Sequence, residues 1–193
     1  LGDGRVVMSS AYNGRVAAAQ AEQPQLALSW NGGIYDFDYW ALPKGISKAE
    51  QARRFVAFAS QPEAQRSFAE KIAYGLAKQG ALVVSGAARG IDSAAHRGAL
   101  RAGGVTIAVL GNGLDVVYPA ENEWLYRDIA ASGALISEYP PGTAAEAWHF
   151  PVRNRIISGL SLATIVVEAP EKSGALITAN TALEQGRDVF AVP

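Results

Sequence analysis

The stretch FPVRNRIISGLS, residues 150–161, sets Arg153 and Arg155 around Asn154, directly after Trp148, His149 and Phe150. Arginine grips phosphate with a two-pronged fork and stacks flat on a base. Rings beside guanidinium groups suit a single-stranded nucleic acid, which needs a stacking platform next to a positive track. Two readings stay open for the pair. Both arginines hold a sugar-phosphate backbone, or one holds it while the other fixes the fold. The purely structural counterpart is a pair of salt bridges to acids such as Glu138 or Glu168.

Glycines recur in loops with the same chemistry. Gly86 and Gly90 lie in SGAARGID, Gly111 and Gly113 in GNGLDVVYP, and Gly174 in EAPEKSGALIT; SEYPPG is a fourth loop. Glycine lets backbone come close to a ligand, and the N–H groups of a following helix start receive a phosphate. Ser173 stands where it opens such a helix. Arg89 is in the first loop, and Arg97 and Arg101 follow on the next helical stretch. The same glycines serve equally well for tight strand-to-helix turns.

Asp92 and His96 are four apart on a predicted helix and can pair. As catalysis they would be a carboxylate-oriented base. No nucleophile accompanies them by spacing, Ser85 being the nearest hydroxyl, so their expected role is to order the adjacent loop. Asn154 is expected to bond backbone in the 139–150 loop, and Glu168 to order the turn facing its strand end.

These residues need a scaffold, and the second half of the chain supplies its rhythm. Apolar runs at 81–86, 106–111, 134–138, 163–169 and 188–193 alternate with helical stretches at 91–102, about 121–132, 152–160 and 175–185. Short continuous apolar strands between helices predict a parallel sheet covered on both faces, a doubly wound α/β fold. In such sheets ligands sit beyond the carboxyl ends of the strands, where the four loops lie. Residues 1–60 lack this rhythm and read as short strand-like pieces, followed by helical spacing over 48–65 and a helix over 68–80.

The totals narrow the function classes. The 193 residues are 49% hydrophobic and 18% charged, which suits a soluble globular chain. Zero cysteines exclude disulfides, thiolate metal sites and a cysteine nucleophile. The two histidines, His96 and His149, are far apart and make a poor zinc site, so no metal is expected. No apolar run approaches the roughly 20 residues of a membrane span. The formal charge is −1, and residues 68–193 carry 10 Lys+Arg against 12 Asp+Glu. Nucleic-acid binding must therefore come from a local patch, with a shallow salt dependence. The chain opens on Leu1 and stops after a strand-like run, which reads as a fragment.

SGAARGIDSAAHRGAL (85–100), TIAVLGNGLDVVYPAEN (106–122), LISEYPPG (135–142), FPVRNRIISGLS (150–161), VVEAPEKSGALITA (166–179) and GRDVFAVP (186–193) fall in one order. In that order and spacing the second half resembles the DNA-processing protein A family, also called Smf or DprA. The resemblance implies a cytoplasmic Rossmann-like domain, truncated here at its first strand and lacking that strand's Gly-Ser-Arg turn. It implies binding of single-stranded DNA and its delivery to the recombinase RecA in natural transformation, no established catalytic reaction, and a homodimer surface on the same domain; no cofactor is expected. The family has SGSLITA where this chain has SGALITA, so Ala175 lacks a hydroxyl that a phosphate contact would use. The alternative on the same fold is a nucleotide-binding enzyme of the phosphoribohydrolase kind, whose PGGxGTxxE pattern this chain does not contain.

VVMSSAYNGRVAAAQ, LSWNGGIYDFDYWALPKG and FVAFASQPEAQ in the first half resemble the C-terminal part of a periplasmic polyamine-binding protein of an ABC transporter. The resemblance implies Tyr12 and Asp38 as amine contacts, a ring face and a carboxylate suiting a polyamine. The expected organisation is a fragmentary α+β segment over 1–66 followed by a Rossmann-like domain over 67–193, an apparent fusion with its junction between Ser60 and Glu70.

Overall fold

In order, the elements are helices α1 (Ala49–Ala59) and α2 (Pro62–Lys78), strand β1 (Val83–Ser85), α3 (Ile91–Arg101), β2 (Thr106–Leu110), α4 (Glu123–Ser132), β3 (Ala134–Ser137), α5 (His149–Leu160), β4 (Ala163–Val166), α6 (Gly174–Glu184) and β5 (Asp188–Ala191). The structure, a computed structural model, describes residues 49–169 and 173–192. Tyr12 and Asp38 lie outside the described residues.

Each strand and helix expected from 81 onward is present, with shifts at the ends. The helical spacing over 48–80 breaks at residues 60–61, earlier than expected. Pro62 causes this: it lacks the N–H that a continuing helix would use, and it suits the first helical turn instead. Helix α2 then runs unbroken through positions 66 and 67. Helix α5 starts three residues before 152, because Pro151 falls within its first turn, where no intrahelical N–H is required.

Three helices end in the same way. Ala81 N–H donates to Leu76 O, Gly104 N–H to Ala99 O and Arg187 N–H to Ala182 O. Each bond closes over a glycine at positive φ: Gly80, Gly103 and Gly186. This left-handed residue turns the chain out of the helix toward the next strand, and glycine adopts it without a Cβ clash.

Strands β1, β2 and β3 form a parallel sheet with β2 in the middle. Its Ala108, Val109 and Leu110 are fully buried. The core around it is Ala87, Leu110, Leu125, Tyr126 and Ile129, with Leu100, Val117 and Leu135 packed alongside. Strands β4 and β5 form a separate parallel pair, so the described strands make two sheets where one was expected. Helices bridge the break: α5 packs on β1, β2 and α6, and α6 packs on β4 and β5.

Helices α2 and α3 lie unusually close. A Cβ on Gly98 would stand 2.2 Å from the carbonyl oxygen of Glu70, and one on Gly104 would stand 2.7 Å from the Ala77 Cβ. Ala69, Ala73 and Ala77 line the buried face of α2. Because Glu70 matches Gly98 and Ala77 matches Gly104, the two helices run in the same direction. Their N-terminal ends therefore sit together at the carboxyl end of the sheet.

Candidate nucleic-acid interface

Helix α5 lies at the carboxyl ends of β1 and β2, and Arg153 fastens it there. The residue is only 4% exposed. Its Nη1 donates to Gly86 O at 2.7 Å and also to Val109 O. Its Nε donates to Asn154 Oδ1 at 3.0 Å, and its Nη2 is 3.7 Å from Asp92 Oδ2. Burial pushes this guanidinium below its ordinary value, and the Asp92 carboxylate opposes the shift. A Cβ on Gly86 would lie 2.1 Å from Arg153 Nη2. Glycine is needed at 86 so that the guanidinium can enter.

Arg155 points the other way. Its side chain is 52% exposed and its Nη2 pairs with both carboxylate oxygens of Glu138, at the end of β3. Arg89 is also exposed and pairs with Glu121 through two nitrogens. Hydrogen bonding to Arg89 lowers the Glu121 carboxyl to about 2, and Glu121 in turn raises Arg89. Of the opening pair, the structure buries Arg153 in the fold and leaves Arg155 at the surface. Arg97 and Arg101 are away from the strand ends; both share Glu70 between α2 and α3.

The first loop is ordered from inside. Asp92 Oδ1 accepts from Ser85 Oγ at 2.8 Å, and Oδ2 accepts from the Ala88 N–H at 3.2 Å. Asn122 Nδ2 donates to Ala87 O and Ser93 Oγ. His96 bonds elsewhere: its Nδ1 is 2.7 Å from Thr106 Oγ1, which already donates its one proton to Val83 O. Thr106 must therefore accept, so Nδ1 carries the imidazole proton and Nε2 is a bare, buried lone pair. Burial lowers His96 to about 4. Asp92 and His96 do not bond each other, and Ser85 gives its proton to the carboxylate. A nucleophile–base–orienter sequence is not formed by these three.

Two ring groups flank Gly111. His149 Nδ1 donates to Gly111 O at 2.8 Å, with Tyr139 at 4.0 Å and Trp148 edge-on at 4.1 Å between ring centres. Phe150 stacks on Tyr118 at 5.6 Å, and Arg153 Cζ lies 5.6 Å from the Phe150 ring centre. Trp148 is 63% exposed and Tyr118 41% exposed, so each group presents one ring to solvent. Tyr118 and Tyr139 were not singled out in the sequence. Both stand in loops whose place beyond the strand ends was legible, but nothing local marks which loop tyrosine meets the rings of α5.

The glycines divide by what they face. A Cβ at Gly111 would meet Phe150 at 2.9 Å, and one at Gly113 would meet Pro140 O at 2.7 Å. With Gly86, these admit the protein's own atoms. Among the described residues, nothing lies within 4 Å of a Cβ on Gly174, and Gly90, at φ +89°, has only Arg66 Nε at 4.0 Å from its would-be Cβ. Ser173 caps α6 by accepting from the Leu176 N–H at 3.4 Å. Asn154 Nδ2 donates to Gly174 O at 3.4 Å, not to the 139–150 loop, because α5 turns that side chain toward the start of α6. Glu168 is exposed after the end of β4.

Comparison with known proteins gives two matches that overlap. The family model for DNA recombination-mediator protein A matches residues 59–193, and that for bacterial extracellular solute-binding proteins matches residues 1–84. Protein Smf of Synechocystis sp. is 57% identical over 123 residues, which are 64% of this chain and 31% of that protein. The chain thus spans about a third of that relative. DNA processing protein A of Helicobacter pylori, solved with a focus on its single-stranded DNA binding mode, is similar with a TM-score of 0.62 at 33% identity, over 67% of this chain and 59% of that one. In the first part, a gamma-aminobutyric acid-binding protein of Pseudomonas aeruginosa is 51% identical over 84 residues, which are 44% of this chain and 24% of that protein. That relative supports the solute-receptor resemblance, and the ligand in its name is an amino acid rather than a polyamine.

Proposed function

The chain belongs to the DNA recombination-mediator protein A family through residues 59–193, and from that premise we propose that it binds single-stranded DNA across the carboxyl ends of β1, β2 and β3. The carrying observation is that exposed rings, Trp148 and Tyr118, and the exposed Arg155 all stand at those ends. Phosphates run from Arg155, beyond β3, to Arg89, beyond β1. Bases stack on Trp148 and on the Tyr118–Phe150 pair. The backbone at Gly90, beside Arg66, and at the exposed Gly174 completes the track. Arg153 and Asp92 hold this surface in shape without touching the strand.

Glu121 and Glu138 pair with the two arginines. A phosphate must displace them, and the competing carboxylates favour a strand that engages several sites at once over a single anion. The expected biological role is transfer of the bound single-stranded DNA to a RecA-type recombinase in the cytoplasm, by a homodimer, without chemical turnover. The hydrogen bonds support the last point, since the Ser85 hydroxyl is held by Asp92 and His96 bonds Thr106 instead of facing Ser85.

Fluorescence anisotropy with labelled oligo-dT tests this reading. Wild-type protein is expected to bind. Trp148→Ala removes a stacking face worth about 1–3 kcal/mol, a loss of at least about fivefold. Arg155→Gln weakens binding, whereas Glu138→Gln strengthens it by roughly two- to fivefold by releasing Arg155. A folded sample that does not bind, or affinities unmoved by all three changes, refutes the assignment.

A further inference from the structure

Arg66 is absent from the sequence motifs, yet the parallel packing of α2 on α3 brings it to the same end of the molecule. It lies near the start of α2, exposed, with its Nε 4.0 Å from the Cβ position of Gly90. Glu70, one turn further along α2, is taken by Arg97 and Arg101. Among the described residues no carboxylate ion-pairs with Arg66. In this it differs from Arg89 and Arg155, each held by a glutamate.

We propose that Arg66 is a further phosphate-binding residue, one that extends the single-strand track past β1 onto α2. This rests on the reading of the strand ends as a DNA site and adds its outer limit. Adjacent strands are about 4.8 Å apart, so β1 and β3 are separated by about 10 Å. With Arg155 paired after β3, Arg89 in the loop after β1 and Arg66 on α2 beside Gly90, the proposed strand follows a line across these ends. Arg66 meets a phosphate without first losing a carboxylate partner. It is therefore the first cation on the line to capture an approaching strand, and Arg89 and Arg155 engage afterwards as their glutamates yield.

The experiment compares Arg66→Gln with Lys78→Gln in oligo-dT binding over a salt series. Lys78 lies on the same helix, 12 residues away by its numbering, which is about 18 Å along the axis. The two changes alter net charge equally, and Lys78, which lies over the Tyr74 ring, is at the far end of the helix. Arg66→Gln is expected to weaken binding roughly three- to tenfold and to reduce the slope of log affinity against log salt by about 0.7, one single-strand phosphate contact. Lys78→Gln is expected to change neither. If wild-type protein binds and Arg66→Gln keeps its affinity and slope, the Arg66 assignment is wrong while the strand-end site stands. Equal losses in both variants also overturn it, since bulk charge would then be responsible. If wild-type protein fails to bind, the reading of the strand ends falls, and Arg66 with it.

Discussion

Arg153→Ala should unfold the domain more readily, and any loss of DNA binding should follow from that. The side chain supplies hydrogen bonds to Gly86 O and Val109 O and the cation beside Asp92. Truncation leaves two carbonyls at the ends of β1 and β2 without this donor, a carboxylate without its counter-charge, and a cavity under α5. Removing one partner of a buried ion pair costs about 3–5 kcal/mol. A domain of this size holds about 7–20 kcal/mol in total, at about 0.05–0.15 kcal/mol per residue. The melting temperature should therefore fall by roughly 10–20 °C. Arg155→Ala breaks only an exposed pair, at about 0–1 kcal/mol, and should melt within about 3 °C of wild type while binding oligo-dT more weakly. Gly86→Ala gives an independent check, because its Cβ occupies the guanidinium's place at 2.1 Å. It should destabilise the wild-type protein strongly but add less than about 1 kcal/mol in the Arg153→Ala background, where the two sites are coupled. Circular-dichroism melts and anisotropy at low temperature separate the effects. An Arg153→Ala protein that melts like wild type but has lost DNA would refute the reasoning, since the guanidinium would then leave the core to meet the ligand.

His96 predicts a pH dependence. Its folded-state pKa, about 4, lies below the ordinary 6.5, so the unfolded chain takes up the proton first as pH falls. The neutral, buried imidazole contributes its full stability above about pH 6.5, and this is lost progressively down to about pH 4, by up to about 3 kcal/mol. Urea midpoints at pH 7.5, 6 and 5 should fall more steeply for wild type than for His96→Leu; identical slopes would show that other groups carry the acid sensitivity. Gly98→Val should cost about 1–3 kcal/mol by overpacking, because a Cβ there meets the backbone oxygen of Glu70 at 2.2 Å. An unchanged melting temperature would mean that α2 is not held as closely on α3 as the structure has it.

The strand-helix alternation from 81 onward was readable because its determinants are local: short apolar runs, glycines at helix ends, and Ser173 ahead of α6. The gathering of the candidate loops was readable too, since parallel strands put their following loops at one end. The start of α5 was harder to read. Its buried face is His149, Arg153, Asn154 and Ser158, so the inward side carries none of the apolar spacing that marks a helix. The helix break at residues 60–61 was misplaced because the good helix-forming residues on both sides outweighed the one local signal, Pro62.

By itself the sequence determined the α/β architecture, the loops that gather at the strand ends, and the pairing of arginines with rings. Only the tertiary structure decided which residue does what. Arg153 and Arg155 are alike in type and two positions apart, but on a helix that is about 200° of rotation, so one enters the core and the other faces solvent. The docking of α5 over β1 and β2 chooses between them. Gly86, Gly111 and Gly113 admit protein atoms closely, while the Cβ position of Gly90 has only Arg66 near it and that of Gly174 has no neighbour among the described residues, a difference that distant parts of the chain provide. Arg66 becomes part of the strand-end surface only because Gly98 lets α2 and α3 lie close and parallel, a contact between residues 28 positions apart in number. Local pattern sets which elements form. What each side chain meets depends on how those elements pack, and no window along the chain contains that.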